Sequence, residues 1–148
     1  MFDVFQVVEY RFLKVNYESK ITCQLEVDYL RCSPKHYGRP RHDTVIIKTS
    51  SGYTFAQLIL LFTIVIDHAT YAVALVQIFS REMGNDETQK KDHDLGFLRL
   101  RKQRAQFIWT RSIIRGVPIF PAFDVKEDSV VFDLIDPDIT FRVQELLA

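Results

Sequence analysis

Apolar and polar positions in the middle of the chain form three strand-like runs joined by two very short turns. The runs cover residues 43–48, 53–66 and 70–79, and Val, Ile, Thr, Phe and Tyr dominate them. These residue types suit a pleated, half-buried surface. Turns of two or three residues join only antiparallel neighbours. The pattern therefore predicts an antiparallel meander, which we expect to curl into a barrel.

The N-terminal part of the chain has a weaker pattern. Residues 2–17 alternate loosely between apolar and polar, which predicts one or two strands. In residues 19–32, alternate apolar positions favour a strand, while helical spacing of three of them favours a short helix over 26–32. Two prolines and a glycine predict a loop over 33–42. We expect residues 1–42 to be an N-terminal strand or short-helix extension that ends in this Pro/Gly loop.

The C-terminal half predicts further strands around a polar insertion. Polar residues fill 82–94, which predicts a long, mobile surface loop. Residues 111–116 are typical of a strand end or a single helical turn, and the turn Asp136-Pro137-Asp138 predicts a hairpin. The remaining strand-like segments are 95–102 and 107–110, with 129–135 and 139–143 as the two arms of the hairpin. The pattern indicates a single, mainly β domain with its barrel core at 43–143.

Composition narrows the class of protein. A chain of 148 residues favours one domain, and equal numbers of basic and acidic residues give no domain-wide basic field. Two cysteines cannot build a disulfide framework and predict two reduced, buried thiols in an intracellular protein. The first residues have no basic region of a signal peptide, and the longest apolar run, 58–66, is far below the roughly 20 residues of a membrane helix. We expect no membrane association.

The chain contains no motif that predicts catalysis, a metal or a cofactor. Gly-x-Ser-x-Gly, Walker and dinucleotide patterns are missing from the sequence. Zinc sites usually contain cysteine pairs two to four residues apart, and the spacing of Cys23, Cys32, His36 and His42 does not fit that rule. Among the carboxylates near the C-terminus, Asp136 and Asp138 flank a turn proline, and the group shows no set that converges from separate strands. We therefore expect a protein that is not an enzyme and that holds neither metal nor cofactor.

Basic and aromatic residues in the second half of the chain supply candidate binding groups. Arg99 and Arg101 share one strand face, because side chains alternate along a strand. The residues predicted to contact phosphates or an acidic partner are Arg99, Arg101, Lys102, Arg104, Arg111 and Arg115. Lys35, Arg39 and Arg41 form a second basic patch, and the candidate aromatic contacts are Trp109, Tyr53 and Phe79.

The order of elements resembles a chromatin-type BAH module, a distorted barrel built on an SH3-like core. The resemblance covers residues 43–143. The matching segments are Thr54-Phe55-Ala56-Gln57-Leu58-Ile59-Leu60-Leu61-Phe62, Ile78-Phe79-Ser80-Arg81, Asp92-His93-Asp94-Leu95-Gly96-Phe97-Leu98 and Ser112-Ile113-Ile114-Arg115-Gly116. It implies an SH3-like or BAH-like, partly open antiparallel barrel and a nuclear protein that contacts chromatin.

A second resemblance is to the C-terminal regions of large uncharacterised proteins of basidiomycete fungi that are often associated with transposable elements. It rests on Asp28-Tyr29-Leu30-Arg31-Cys32-Ser33-Pro34, Tyr37-Gly38-Arg39-Pro40-Arg41-His42-Asp43-Thr44-Val45-Ile46-Ile47, Phe55-Ala56-Gln57-Leu58, Ala72-Val73-Ala74-Leu75-Val76-Gln77 and Arg111-Ser112-Ile113-Ile114-Arg115-Gly116. This resemblance implies a nuclear, DNA-related setting and supplies no catalytic residues.

Two functional hypotheses follow from these observations. In the first, the chain is a non-enzymatic, nuclear interaction module that binds nucleic acid or a chromatin protein, with the loop from Met83 to Asp94 adapting the surface. In the second, it is a structural or oligomerisation domain that pairs with another copy through edge strands or apolar patches. Salt dependence separates them, because contacts to phosphates weaken steeply with added salt.

Overall fold

The structure is a computed structural model that describes residues 4–82 and 84–147. It is 60% strand and 18% helix, with antiparallel sheets, which confirms the mainly β prediction. In chain order the elements are β1 (Val4–Tyr10), β2 (Phe12–Glu18), β3 (Leu25–His36), β4 (Arg39–His42), β5 (Thr44–Thr49), β6 (Gly52–Ile66), β7 (Ala69–Arg81), α1 (Asp86–Leu95), β8 (Arg99–Trp109), a 3₁₀ turn (Thr110–Ser112), β9 (Ile113–Gly116), β10 (Ile119–Pro121), β11 (Asp128–Val131), a second 3₁₀ turn (Asp133–Ile135) and α2 (Pro137–Leu147).

The predicted meander is confirmed as β5, β6 and β7. Val45 lies opposite Ala56 in the β5–β6 pair, and Leu61 lies opposite Ala74 in the β6–β7 pair. The β6–β7 turn consists of Asp67 and His68, whose φ angles are 50° and 68°. Positive φ at both central residues matches the right-handed twist of a two-residue hairpin.

The expected barrel does not close within the described residues. The large sheet has the strand order β10-β11-β8-β7-β6-β5-β9, and its two end strands do not pair with each other. β5 pairs with residues 52–57 of β6, whereas β1 pairs with residues 61–66 of the same strand. β5 and β1 therefore each pair with a different half of β6, and the sheet stays open.

A second antiparallel sheet, β2-β3-β4, covers one face of the large sheet. Val15 and Leu30 from the second sheet pack with Leu58, Ala74 and Val76 in a buried cluster. The segment expected to be an N-terminal extension thus contributes to the core. The opposite face of the large sheet is covered only at one end, where a second buried cluster is formed by Ile46, Phe55, Phe79, Leu98, Leu100, Val117, Val131, Ile139 and Val143.

The structure selects the strand alternative for residues 25–32 and corrects the loop expected over 33–42. β3 continues to His36, and β4 returns beside it after the two-residue turn Tyr37-Gly38, with φ angles of 49° and 81°. Pro34 lies where the register shifts between Ser33 and His36. Proline is tolerated at such irregularities and on edge strands.

The mobile loop expected over 83–94 is wrong for its described part, because residues 86–95 form helix α1. The side chain of Asn85 accepts a hydrogen bond from the Thr88 N–H at 2.9 Å, and Gly96 ends the helix with φ of 70°. An asparagine cap and a left-handed glycine are strong boundary signals for a helix. Met83 lies outside the described residues.

The hairpin expected around Asp136-Pro137-Asp138 is also wrong, because the second arm is helix α2. Pro137 stands at the first helical position, where its fixed φ is favourable. Asp136 accepts a hydrogen bond from the Ile139 N–H at 2.9 Å. Both alternatives for 111–116 occur in succession, because residues 110–112 form a 3₁₀ turn and residues 113–116 form strand β9. Neither α-helix in the described ranges is long and apolar enough to cross a membrane.

Candidate nucleic-acid interface

Arg99, a predicted surface residue, lies inside a cluster of aspartates. Its side chain is buried and donates five hydrogen bonds to Asp92, Asp124 and Asp128, at 2.8–3.3 Å. Hydrogen bonds to Asp92 and Asp124 raise the pKa of Arg99, although burial opposes them. Arg101 donates to Asp128 at 2.7 Å. In this structure Arg99 therefore joins α1 to β8 and β11 and is not accessible to a phosphate.

Arg115 lies in a second buried cluster. It donates to Asp136 at 2.7 Å and to Asp138 at 2.9 Å, and its guanidinium lies 4.6 Å from the centre of the Tyr17 ring. Arg142 donates to the same Asp138 at 2.8 Å. Burial raises the pKa of Tyr17 to about 12, although the charge of Arg115 lowers it. The cluster connects β2, β9 and α2, so Arg115 is held in the interior.

The other predicted contacts are distributed over separate places. Lys102 and Arg104 are exposed on β8. Arg111 lies over the half-exposed Trp109 ring, 5.2 Å from its centre, so the structure brings these two predicted residues together.

The two remaining aromatic candidates contribute to packing. Phe79 is buried in the second core cluster, and the half-buried Tyr53 packs against that cluster. The expectation that Phe79 offers an exposed ring is wrong, because its side of β7 is covered there by the second cluster.

A different part of the molecule exposes aromatic rings beside cations. Phe12 on β2 and Tyr29 on β3 are 40% and 54% exposed. Their ring centroids are 5.6 Å apart and their planes differ by 19°, so the rings stack. The Arg31 guanidinium lies 4.6 Å from the centre of the Phe12 ring. Lys14, opposite Tyr29 in the register, is also exposed.

Strand alternation explains why these side chains share the outer face of the small sheet. Leu13 and Val15 on β2 pack on the first core cluster, as do Leu30 and Cys32 on β3. The residues between them must point the other way. The register places Phe12 opposite Arg31 and Lys14 opposite Tyr29, so the four side chains are neighbours. We call Phe12, Lys14, Tyr29 and Arg31 the aromatic–basic platform.

The β3–β4 hairpin extends this basic surface. Lys35, Arg39 and Arg41 are exposed, and Arg41 pairs with Asp43 at 3.0 Å. Tyr37, at the tip, is almost fully exposed and has φ of 49°. A left-handed conformation costs a residue of this type about 1–2 kcal/mol. The hairpin thus holds an exposed aromatic ring among three cations.

Segment 11–42, which includes the platform and the hairpin, has an excess of basic residues. The basic residues of segment 11–42 are Arg11, Lys14, Lys20, Arg31, Lys35, Arg39 and Arg41, and its acidic residues are Glu18, Glu26 and Asp28. Glu26 accepts a hydrogen bond from the Tyr17 hydroxyl at 3.0 Å, and Asp28 accepts one from the Gly116 N–H at 2.7 Å. Two of the three carboxylates are therefore engaged in hydrogen bonds of the fold.

Sequence reasoning identified the hairpin cations but missed the stacked pair. The alternation of apolar and polar residues in β2 and β3 was a usable signal. It could not show which side faces the solvent, because Phe12 and Leu13 are both apolar. The register between the two strands was needed to bring Phe12 beside Tyr29.

The thiol of Cys32 is not suited to nucleophilic chemistry. Its Sγ lies 3.6 Å from Nδ1 of His42, but the residue is buried, and burial raises the pKa of the thiol to about 11. A thiol is a weak nucleophile when the thiolate is disfavoured. Cys23 is exposed, which corrects the expectation of two buried thiols. Among the described residues, no group of His, Cys, Asp and Glu side chains is placed to hold a metal ion.

Comparison of the chain with protein-family models, curated proteins and solved structures returns no match.

Proposed function

We propose that this chain is a non-enzymatic module that binds single-stranded nucleic acid, with bases stacking on the aromatic–basic platform and phosphates contacting the β3–β4 hairpin. The stacked, exposed Phe12–Tyr29 pair beside Arg31 is the observation that carries the proposal. The nuclear setting implied by the resemblance to BAH modules and transposon-associated proteins is part of the proposal.

The aromatic pair supports binding of unpaired bases. Aromatic rings on single-strand-binding surfaces stack on bases with little sequence preference, because every base has a flat π-face. In a duplex the bases are already stacked and paired, and an exposed ring pair has no face to contact. The Arg31 guanidinium, 4.6 Å from the centre of the Phe12 ring, offers a further planar group for stacking.

The cations around the pair support binding of the backbone. Lys14, Arg31, Lys35 and Arg39 have no carboxylate within salt-bridge distance among the residues that the structure describes. Lysine and arginine side chains commonly contact phosphate oxygens. Lys14 and Arg31 lie on the outer face of the small sheet, and Lys35 and Arg39 lie on the hairpin that extends it, so one strand can follow them.

The neutral total charge is compatible with such a surface. Arg99 and Arg115 are neutralised inside the molecule by Asp92, Asp128 and Asp138, which are themselves buried. Together with Arg142 these buried groups are three cations and three carboxylates, so they add nothing to the total charge. Segment 11–42 has seven basic and three acidic residues, and acidic residues elsewhere in the chain balance this excess of positive charge in the total.

The experiment is fluorescence anisotropy with a labelled 20-nucleotide oligo(dT) and a duplex of equal length. We expect tighter binding to the single strand. With four phosphates neutralised, the slope of log K against log[salt] is about −2.8, so affinity falls by roughly 50-fold between 50 and 200 mM salt. Phe12→Leu and Tyr29→Leu remove a stacking ring, and each should weaken binding about 5- to 150-fold, as expected for 1–3 kcal/mol per base.

Phe123→Leu is the matched control, because Phe123 is fully exposed in a different part of the molecule. It should leave affinity unchanged. Circular dichroism confirms that each variant is folded. The proposal is refuted if the folded wild type does not bind oligo(dT) at 50 mM salt, or if Phe12→Leu and Phe123→Leu bind alike.

A further inference from the structure

The large sheet carries an apolar surface that no described element covers. It lies on the face opposite the small sheet, at the end away from the second core cluster. We call it the distal face, and its residues, placed by strand register on β1, β6, β7 and β8, are Val7, Phe62, Ile64, Tyr71, Val73, Leu75, Phe107 and Trp109.

Aromatic rings dominate the distal face and are organised. The ring centroids of Phe62 and Phe107 are 6.0 Å apart and meet edge to face, and those of Tyr71 and Trp109 are 5.7 Å apart. Phe107, Trp109 and Tyr71 are 65%, 43% and 38% exposed. At about 200 Å² per aromatic side chain, these three rings leave roughly 300 Å² in water. Such a patch is typical of an interaction site.

We propose that the distal face binds the distal face of a second copy of this chain. With the aliphatic side chains included, each copy would bury on the order of 500 Å², and the pair about 1,000 Å², the lower limit for a specific interface. The face is sufficient for a weak dimer and small for a permanent one.

The charges at the rim favour a second copy over other occupants. Asp67 lines a hollow of about 260 Å³ together with Ile64, Tyr71 and Trp109, and Arg111 lies over Trp109. The register also puts Glu9 on this face, opposite Phe62, so the rim has two acidic residues and one basic residue. In a two-fold interface residue i contacts j and j contacts i, so Arg111 of each copy can meet an acidic residue of the other. A phosphate backbone would meet Asp67 unfavourably and gain only Arg111.

The test is sedimentation velocity of the full chain from 1 to 200 µM, at 50 and 500 mM salt. We expect a monomer–dimer equilibrium whose dissociation constant changes less than threefold between the two salt concentrations, because apolar contacts dominate. Phe107→Lys should raise this dissociation constant at least tenfold, since it places a charge in the interface. Phe123→Lys, the same change at an exposed phenylalanine outside the distal face, should dimerise like the wild type.

The outcomes separate the possible occupants. A wild type that stays monomeric at 200 µM overturns the proposal. So does a dimer that Phe107→Lys leaves intact, because the interface is then elsewhere. Val7→Lys, on the opposite strand of the same face, provides a second test if Phe107→Lys does not fold, and it should also give monomer. Failure here does not affect the proposed nucleic-acid site, which is on the other side of the molecule.

Discussion

Replacing Arg99 with methionine separates a structural role from the binding role that the sequence indicated. The substitution keeps an extended apolar stem but removes all five hydrogen bonds to three aspartates. Removing one partner of a buried ion pair costs about 3–5 kcal/mol, because the other charge stays buried. Asp128 keeps its hydrogen bond from Arg101, and Asp124 is partly exposed. Asp92 therefore supplies most of the loss, which we place at about 3 kcal/mol.

Urea unfolding followed by circular dichroism measures this loss. With an m-value of about 2 kcal/mol/M, a loss of 3 kcal/mol lowers the midpoint by about 1.5 M. Arg104→Met is the matched control on the same strand, and as an exposed substitution it should stay within about 0.5 kcal/mol of the wild type. Adding Asp92→Asn to Arg99→Met removes the stranded charge and should recover at least about 1 kcal/mol.

The result that refutes this reasoning is a change of less than about 1 kcal/mol in Arg99→Met, or an equal change in Arg104→Met. Oligonucleotide affinity supplies a second readout. Folded Arg99→Met protein should bind oligo(dT) as the wild type does, because the platform lies on the other sheet. A loss of oligonucleotide binding without a loss of stability would indicate that Arg99 contacts the nucleic acid directly.

Three further predictions use single groups. Burial alone raises the pKa of Asp138, but hydrogen bonds from Arg142 and neighbouring donors lower it overall. The ionised carboxylate therefore stabilises the fold above its unfolded pKa near 4, and this stabilisation is lost as pH falls below that value. Urea midpoints should fall below about pH 4, and less steeply in Asp138→Asn. Since the pKa of Cys32 is about 11, a thiol reagent at pH 8 should label only Cys23 until urea is added. Tyr37→Asn relieves a left-handed backbone and should raise stability by about 0.5 kcal/mol while weakening oligonucleotide binding; a lower melting temperature would contradict this.

The local pattern of apolar and polar residues was sufficient to predict the fold where segments adjacent in sequence pair with each other. The meander follows from long β-branched runs and two short turns, so its strands and their pairing were predictable. Helix α1 was also readable, since Asn85 and Gly96 mark its ends, but its polar composition was interpreted as a loop. Pro137 was assigned to a turn, although the same residue is favourable at the start of a helix.

The candidate site was less predictable because its contacts are distant in sequence. Alternation correctly placed Arg99 and Arg101 on one face of a strand. Nothing local showed that Asp92, Asp124 and Asp128 would meet that face, since α1 and β11 reach it from either side in the chain. A run of basic residues is an exposed patch only when the elements packed on it carry no carboxylates.

The two proposed surfaces lie on opposite sides of the sandwich, and this arrangement has a consequence for binding. The small sheet covers one face of the large sheet and turns its platform outward, whereas the distal face belongs to the other side. A dimer formed through distal faces presents two platforms that point away from each other, so one short strand reaches only one of them. A strand long enough to pass around the dimer can engage both, and linked contacts raise affinity about 100-fold or more. Phe107→Lys should therefore weaken binding of a 100-nucleotide strand by at least about tenfold and leave a 15-nucleotide strand unaffected. Equal losses of affinity at both lengths would mean that Phe107 itself contacts nucleic acid. The assignment of nucleic-acid binding to the platform and of dimerisation to the distal face would then be wrong.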